Sequence, residues 1–99
     1  MIDLAPADLR LVIEILRQHV PDCEVRAFGS RLNGHAKTFS DLDLALVSDA
    51  PLDWRRLEAL KDSFAESDLP IMIDVLDWHS ISDEFKAVIE KNYEALYLQ

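Results

Sequence analysis

Apolar residues recur along this 99-residue chain with two periods, one near 3.6 and one of 2. Between Pro6 and Val20, Leu9, Val12, Ile13, Leu16 and Val20 fall three or four positions apart, which predicts a helix with one apolar face. Pro6 suits the first helical position, Asp8 complements the positive end of the helix dipole, and Pro21-Asp22 ends the pattern. Residues Cys23 to Phe28 alternate, with Cys23, Val25 and Ala27 on one face, and read as a strand. A polar connection precedes a second strand from Asp41 to Val47, which Ser48-Asp49-Ala50-Pro51 breaks. Asp53 to Ser67 repeats the helical spacing, with Trp54, Leu57, Leu60 and Phe64 on its inner side. The β-rich run Ile71 to Trp78 predicts a third strand. Ser80, three residues before Asp83, resembles a capping box for a last helix whose buried face would be Phe85, Val88 and Ile89. Tyr93 to Leu98 fits either a short closing strand or a loose tail. Helix, strand, turn, strand, helix, strand, helix predicts an α/β chain in which helices flank a small mixed sheet.

The length allows one domain, covering residues 1–99, and the apolar fraction of 49% suits a globular core. No apolar run is long enough for a membrane helix, and MIDLAPADLR has neither the basic start nor the apolar core of a signal peptide. The single cysteine, Cys23, has no partner for an internal disulfide, which fits a cytoplasmic location. The net charge of −9 argues against non-specific nucleic-acid binding, because that affinity rests on basic groups that displace phosphate counterions.

Against this background the segment Gly29 to Ala45, GSRLNGHAKTFSDLDLA, carries the chemistry. It contains both glycines of the chain, and Gly29-Ser30 is separated by ten residues from Asp41-Leu42-Asp43. Glycine lets a backbone approach a ligand closely, and free N–H groups at a helix start favour an anion. Asp41 and Asp43 are two apart, so on a strand they share a face, where two like charges are unfavourable without a cation or a proton. Asp74 sits amid Ile71, Met72, Ile73, Val75 and Leu76, where an acid needs a partner. If its strand lies beside that of Asp43, three carboxylates meet. Asp77 is a second candidate, but alternation puts it on the other face.

Each feature also has a plainer reading. Asp41 and Asp43 could be solvated acids at a strand entrance, Asp74 a buried acid bonded to backbone, and Ser30 a helix cap. Arg31 and Lys37 could reach phosphates or simply face water. His19, His35 and His79 lack zinc-ligand spacing.

The combined pattern resembles the nucleotidyltransferase superfamily of DNA polymerase β, above all its minimal single-domain bacterial members. AFGSRLNGHAK, SDLDLALVS and ESDLPIMIDVLDW carry the resemblance, which extends over nearly the whole chain. It implies the polymerase-β-like fold, with Gly29 and Ser30 in a phosphate-gripping turn and Arg31 beside it. Asp41, Asp43 and Asp74 would be the catalytic and metal-holding carboxylates. The implied cofactor is Mg2+, in a two-metal site, and the implied reaction transfers a nucleoside monophosphate, AMP foremost, from ATP or another nucleoside triphosphate to a hydroxyl. Minimal members of this kind work with a separate small helical-bundle protein. In several pairs that partner is a HEPN-type toxin, adenylylated on a tyrosine by its antitoxin. The competing expectation is a nucleotide-binding or antitoxin module that acts by contact alone.

Overall fold

The computed structural model describes residues 2–29, 31 and 41–98. Ser30, Gly34, Lys37 and the connection His35 to Ser40 lie outside the described residues. The elements are α1 (Pro6–His19), β1 (Glu24–Phe28), β2 (Leu42–Val47), α2 (Trp54–Ala65), β3 (Ile73–Asp77), a 3-10 turn (Trp78–Ser80), α3 (Asp83–Lys91) and β4 (Glu94–Leu96). The C-terminal segment therefore forms a strand.

The four strands lie in the order β3-β2-β1-β4. β1 runs antiparallel to β2 and to β4, whereas β2 and β3 are parallel, which makes the sheet mixed. A parallel pair needs a crossover, and α2 supplies it. One sheet face presents Val25, Ala27, Leu42, Leu44, Leu46 and Val75 to the main core, where Val12, Leu16, Leu60 and Phe64 of the two long helices complete it. Leu9 and Ile13 of the predicted α1 stripe are only partly buried, while Ile15 is buried.

The opposite face is covered by the chain that follows β3. Arg26 and Phe28 alternate with the core-facing Val25 and Ala27, so they project from this second face. Phe28 meets Phe85 of α3 edge to face at 5.7 Å between centroids. The Arg26 guanidinium lies over the rings of Trp78 and Tyr93. Ala45 and Ile89 are fully buried outside the main core cluster.

Three local expectations are corrected. Trp54 is 68% exposed rather than inward, and its ring lies 5.4 Å from the Arg55 guanidinium instead. Of the predicted apolar face of α3, Ile89 alone is buried, while Val88 points to solvent and Phe85 rests on Phe28 by one edge. A nine-residue helix lying across a sheet seats a narrow stripe, and Val88 falls beside it. The α3 cap is Ser82, whose hydroxyl accepts from the Phe85 N–H, whereas Ser80 closes the 3-10 turn by donating to the Asp77 carbonyl.

Candidate active site

The second sheet face is where the acids meet. In the β2–β3 register Asp43 is opposite Asp74, and in the β1–β2 register Asp43 is opposite Phe28. Asp41 stands one residue before β2, exposed. Asp43 is half-buried, and its carboxyl is pushed above the usual carboxylate range, first by burial and then by the negative charges of Asp74 and Asp41. Among the described residues, no three His, Cys, Asp or Glu side chains form a ready-made metal cage.

Gly29 follows β1 directly and has φ +90°, a conformation that L side chains rarely adopt. A Cβ placed there would lie 2.5 Å from Asp43 Oδ2. The end of β1 therefore packs its backbone against the carboxylate, and only a residue without a side chain permits this. Arg31 is buried: its Nη1 donates to the Asp3 carbonyl at 2.8 Å, and the Asp3 N–H donates back to the Arg31 carbonyl at 2.7 Å. The structure thus sets Arg31 against the N-terminal segment.

Asp74 is exposed on the outermost strand of this end of the sheet. A groove of about 640 Å³ runs between the end of α2 and β3 and includes Asp74 in its lining. Asp77 takes a different part. It is buried, and its two carboxylate oxygens accept from the Leu52 N–H and the His79 N–H, each at 3.0 Å. It pins the end of β3 to the entrance of α2. The sequence signal was the alternation that set Asp77 apart from Asp74; the backbone donors were not readable.

Described together, Gly29, Asp43 and Asp74 lie on three successive features of the sheet: the exit of β1, the start of β2 and the start of β3. This arrangement can hold a polyanion through a cation, with backbone on one side and an accessible carboxylate on the other. Among the described residues no helix is long and apolar enough to cross a membrane.

Comparison with known proteins agrees with this layout. The family model for the nucleotidyltransferase domain matches residues 9–96. The Haemophilus influenzae protein named "Probable protein adenylyltransferase MntA" is 49% identical over 92 residues, which span 93% of this chain and 81% of that protein. A chain from the crystal structure of a toxin-antitoxin with AMP-PNP has a TM-score of 0.75 at 25% identity, covering 92% of this chain and 72% of that one. A chain from the tri-AMPylated Shewanella oneidensis HEPN toxin in complex with MNT antitoxin has a TM-score of 0.58 at 21% identity, covering 94% and 70%, and shares the fold. The chain we describe belongs to the nucleotidyltransferase domain family.

Proposed function

We propose that this chain is a metal-dependent adenylyltransferase that moves AMP from ATP to a hydroxyl on a separate helical protein of the HEPN type, as an antitoxin does to its toxin. The observation that carries the reading is the side-by-side register of Asp43 and Asp74 with Gly29 packed on Asp43. Adenylyl transfer to a protein is supported by the 49% identical relative, whose name states that activity. ATP as donor and a toxin as partner are supported by the solved toxin-antitoxin with AMP-PNP.

The donor set fits a hard divalent cation such as Mg2+: it consists of carboxylate oxygens, and the proton affinity of Asp43 is raised by burial and then by the negative charges of Asp74 and Asp41. Asp41, Asp43 and Asp74 would hold it. Divalent ions bound there supply charge stabilisation to the attacking and leaving oxygens of an in-line displacement.

The sheet order supports the following roles. Gly29, at the end of β1, and Ser30 would grip the β- and γ-phosphates. Arg31, which follows them in sequence, is tied to the Asp3 carbonyl. Asp74, on the outermost strand, receives the acceptor on the opposite side. In-line attack demands this opposition of entering and leaving groups. The acceptor oxygen bonds to the α-phosphorus as its proton passes to Asp74. The bond from the α-phosphorus to the bridging oxygen then breaks, and pyrophosphate departs on the Gly29 side.

The test is mass spectrometry of a co-expressed helical partner after incubation with ATP and Mg2+. The expected result is addition of AMP to a partner tyrosine, lost in the Asp43→Asn variant. A stable complex that silences the partner without any mass change would replace transfer with action by contact.

A further inference from the structure

The phosphate turn and the acids account for one end of a nucleotide and leave its base without a seat. We propose that Phe85, braced by Phe28, is the stacking platform for the purine base of the bound nucleoside triphosphate. The inference rests on the nucleotide-binding reading above and adds a specificity-determining contact to it.

Three observations converge. First, position: Phe28 is the register partner of Asp43, so its side chain stands on the catalytic face about one strand spacing, ~4.8 Å, from the carboxylate strand. Phe85 extends that aromatic surface outward, with centroids 5.7 Å apart. A base joined to the α-phosphate through one ribose can reach this surface from the acids.

Second, geometry: the interplanar angle is 84°, so one ring meets the other by its edge. Such a contact braces the pair, and Phe85 remains 37% exposed. The burial that docks α3 falls on Ile89, at 1% exposure, so the packing of the helix does not account for the exposed ring.

Third, charge: α3 opens with Asp83 and Glu84, immediately before Phe85. A phosphate placed at Phe85 would meet these carboxylates. An uncharged aromatic ring meets no such penalty, and a purine offers the larger stacking area among bases. Base–aromatic stacking of this kind changes affinity severalfold or more for each base.

The experiment compares binding of ATP and of inorganic tripolyphosphate, each with Mg2+, to the wild-type chain and to Phe85→Ala, Phe85→Leu and Phe85→Trp, by calorimetry. Leucine keeps apolar contact with Phe28 and removes the π face, so it separates stacking from folding. The expected result is a Kd for ATP raised about tenfold in the Ala and Leu variants and retained in the Trp variant. Tripolyphosphate binding should be the same in all four. Equal ATP affinity across the series overturns the platform and leaves nucleotide binding intact. Parallel losses for ATP and tripolyphosphate overturn it too, since Phe85 would then support the phosphate turn. Absence of metal-dependent ATP binding in the wild type overturns the nucleotidyltransferase reading itself, and the platform with it.

Discussion

The backbone of Gly29 lies against the carboxylate of Asp43, so close that a Cβ at residue 29 would stand 2.5 Å from Oδ2. This contact joins the exit of β1 to the entrance of β2. Gly29→Ala must move the carboxylate and also adopt a positive φ. A loss of about 1–3 kcal/mol in urea unfolding is expected. The ATP-induced thermal shift should also fall. An alanine variant of wild-type stability would contradict the contact.

Asp43→Asn should be stabilising in metal-free buffer at neutral pH. The folded-state pKa of Asp43 is raised above the usual carboxylate range by burial and by the negative charges of Asp74 and Asp41. A group raised on folding contributes its full stability below the unfolded value and loses it as pH rises through the folded one. The wild type should therefore melt below the variant near pH 7, and the gap should close as the pH approaches 3. Melting temperatures in EDTA across this range decide the matter; a gap that does not change with pH would remove the electrostatic explanation.

Replacing Asp41 and Asp43 together by Asn should abolish binding of ATP that depends on Mg2+. In the wild type, ATP with Mg2+ should raise the melting temperature, whereas ATP in EDTA or Mg2+ alone should not, since the triphosphate is repelled by bare carboxylates. Equal stabilisation by ATP in EDTA would sink the metal assignment.

Asp74→Asn is expected to separate binding from chemistry. The ATP thermal shift should persist through the other two acids, while AMP incorporation into the partner drops by roughly 10²-fold or more, the usual contribution of a positioned base. Time courses followed by mass spectrometry give the rate. Undiminished transfer would show that another group takes the proton.

Asp77→Ala removes the acceptor of two backbone N–H groups, those of Leu52 and His79. The expected cost is about 2–4 kcal/mol, because part-buried donors lose a charged partner. Denaturant titration measures it. Asp77→Asn should recover part of the loss, since the amide keeps one oxygen as acceptor.

Much of this architecture was legible in the residues. Alternation placed Val25 and Ala27 in the core, because strand geometry leaves little choice; the shared face of Asp41 and Asp43 rested on a strand beginning at Asp41, whereas β2 begins at Leu42. Helix existence was equally plain, since Leu57, Leu60 and Phe64 repeat at helical spacing. The failures have a common physical origin. Trp54 and Val88 obey helical spacing, but whether a turn faces anything depends on how far the neighbouring element extends, which no local pattern encodes. Ser80 and Ser82 both stand before α3, and only the backbone path decides which hydroxyl meets the Phe85 N–H. The pairing of Asp43 with Asp74 required knowing that β3 lies beside β2; the two segments are separated by the whole of α2, and spacing alone does not state it.

The anchoring of Asp77 has a consequence for the fidelity of the acidic cluster. β3 is paired with a strand on one side only, and five residues of ladder are a weak guard against sliding. A slip of a single position would rotate Asp74 into the hydrocarbon interior and bring Val75 out among the acids, because successive side chains point to opposite faces. The Leu52 N–H, donated to the Asp77 carboxylate from the entrance of α2, opposes that misalignment from the far end of the strand. A residue apart from Asp43 and Asp74 thereby fixes where Asp74 stands.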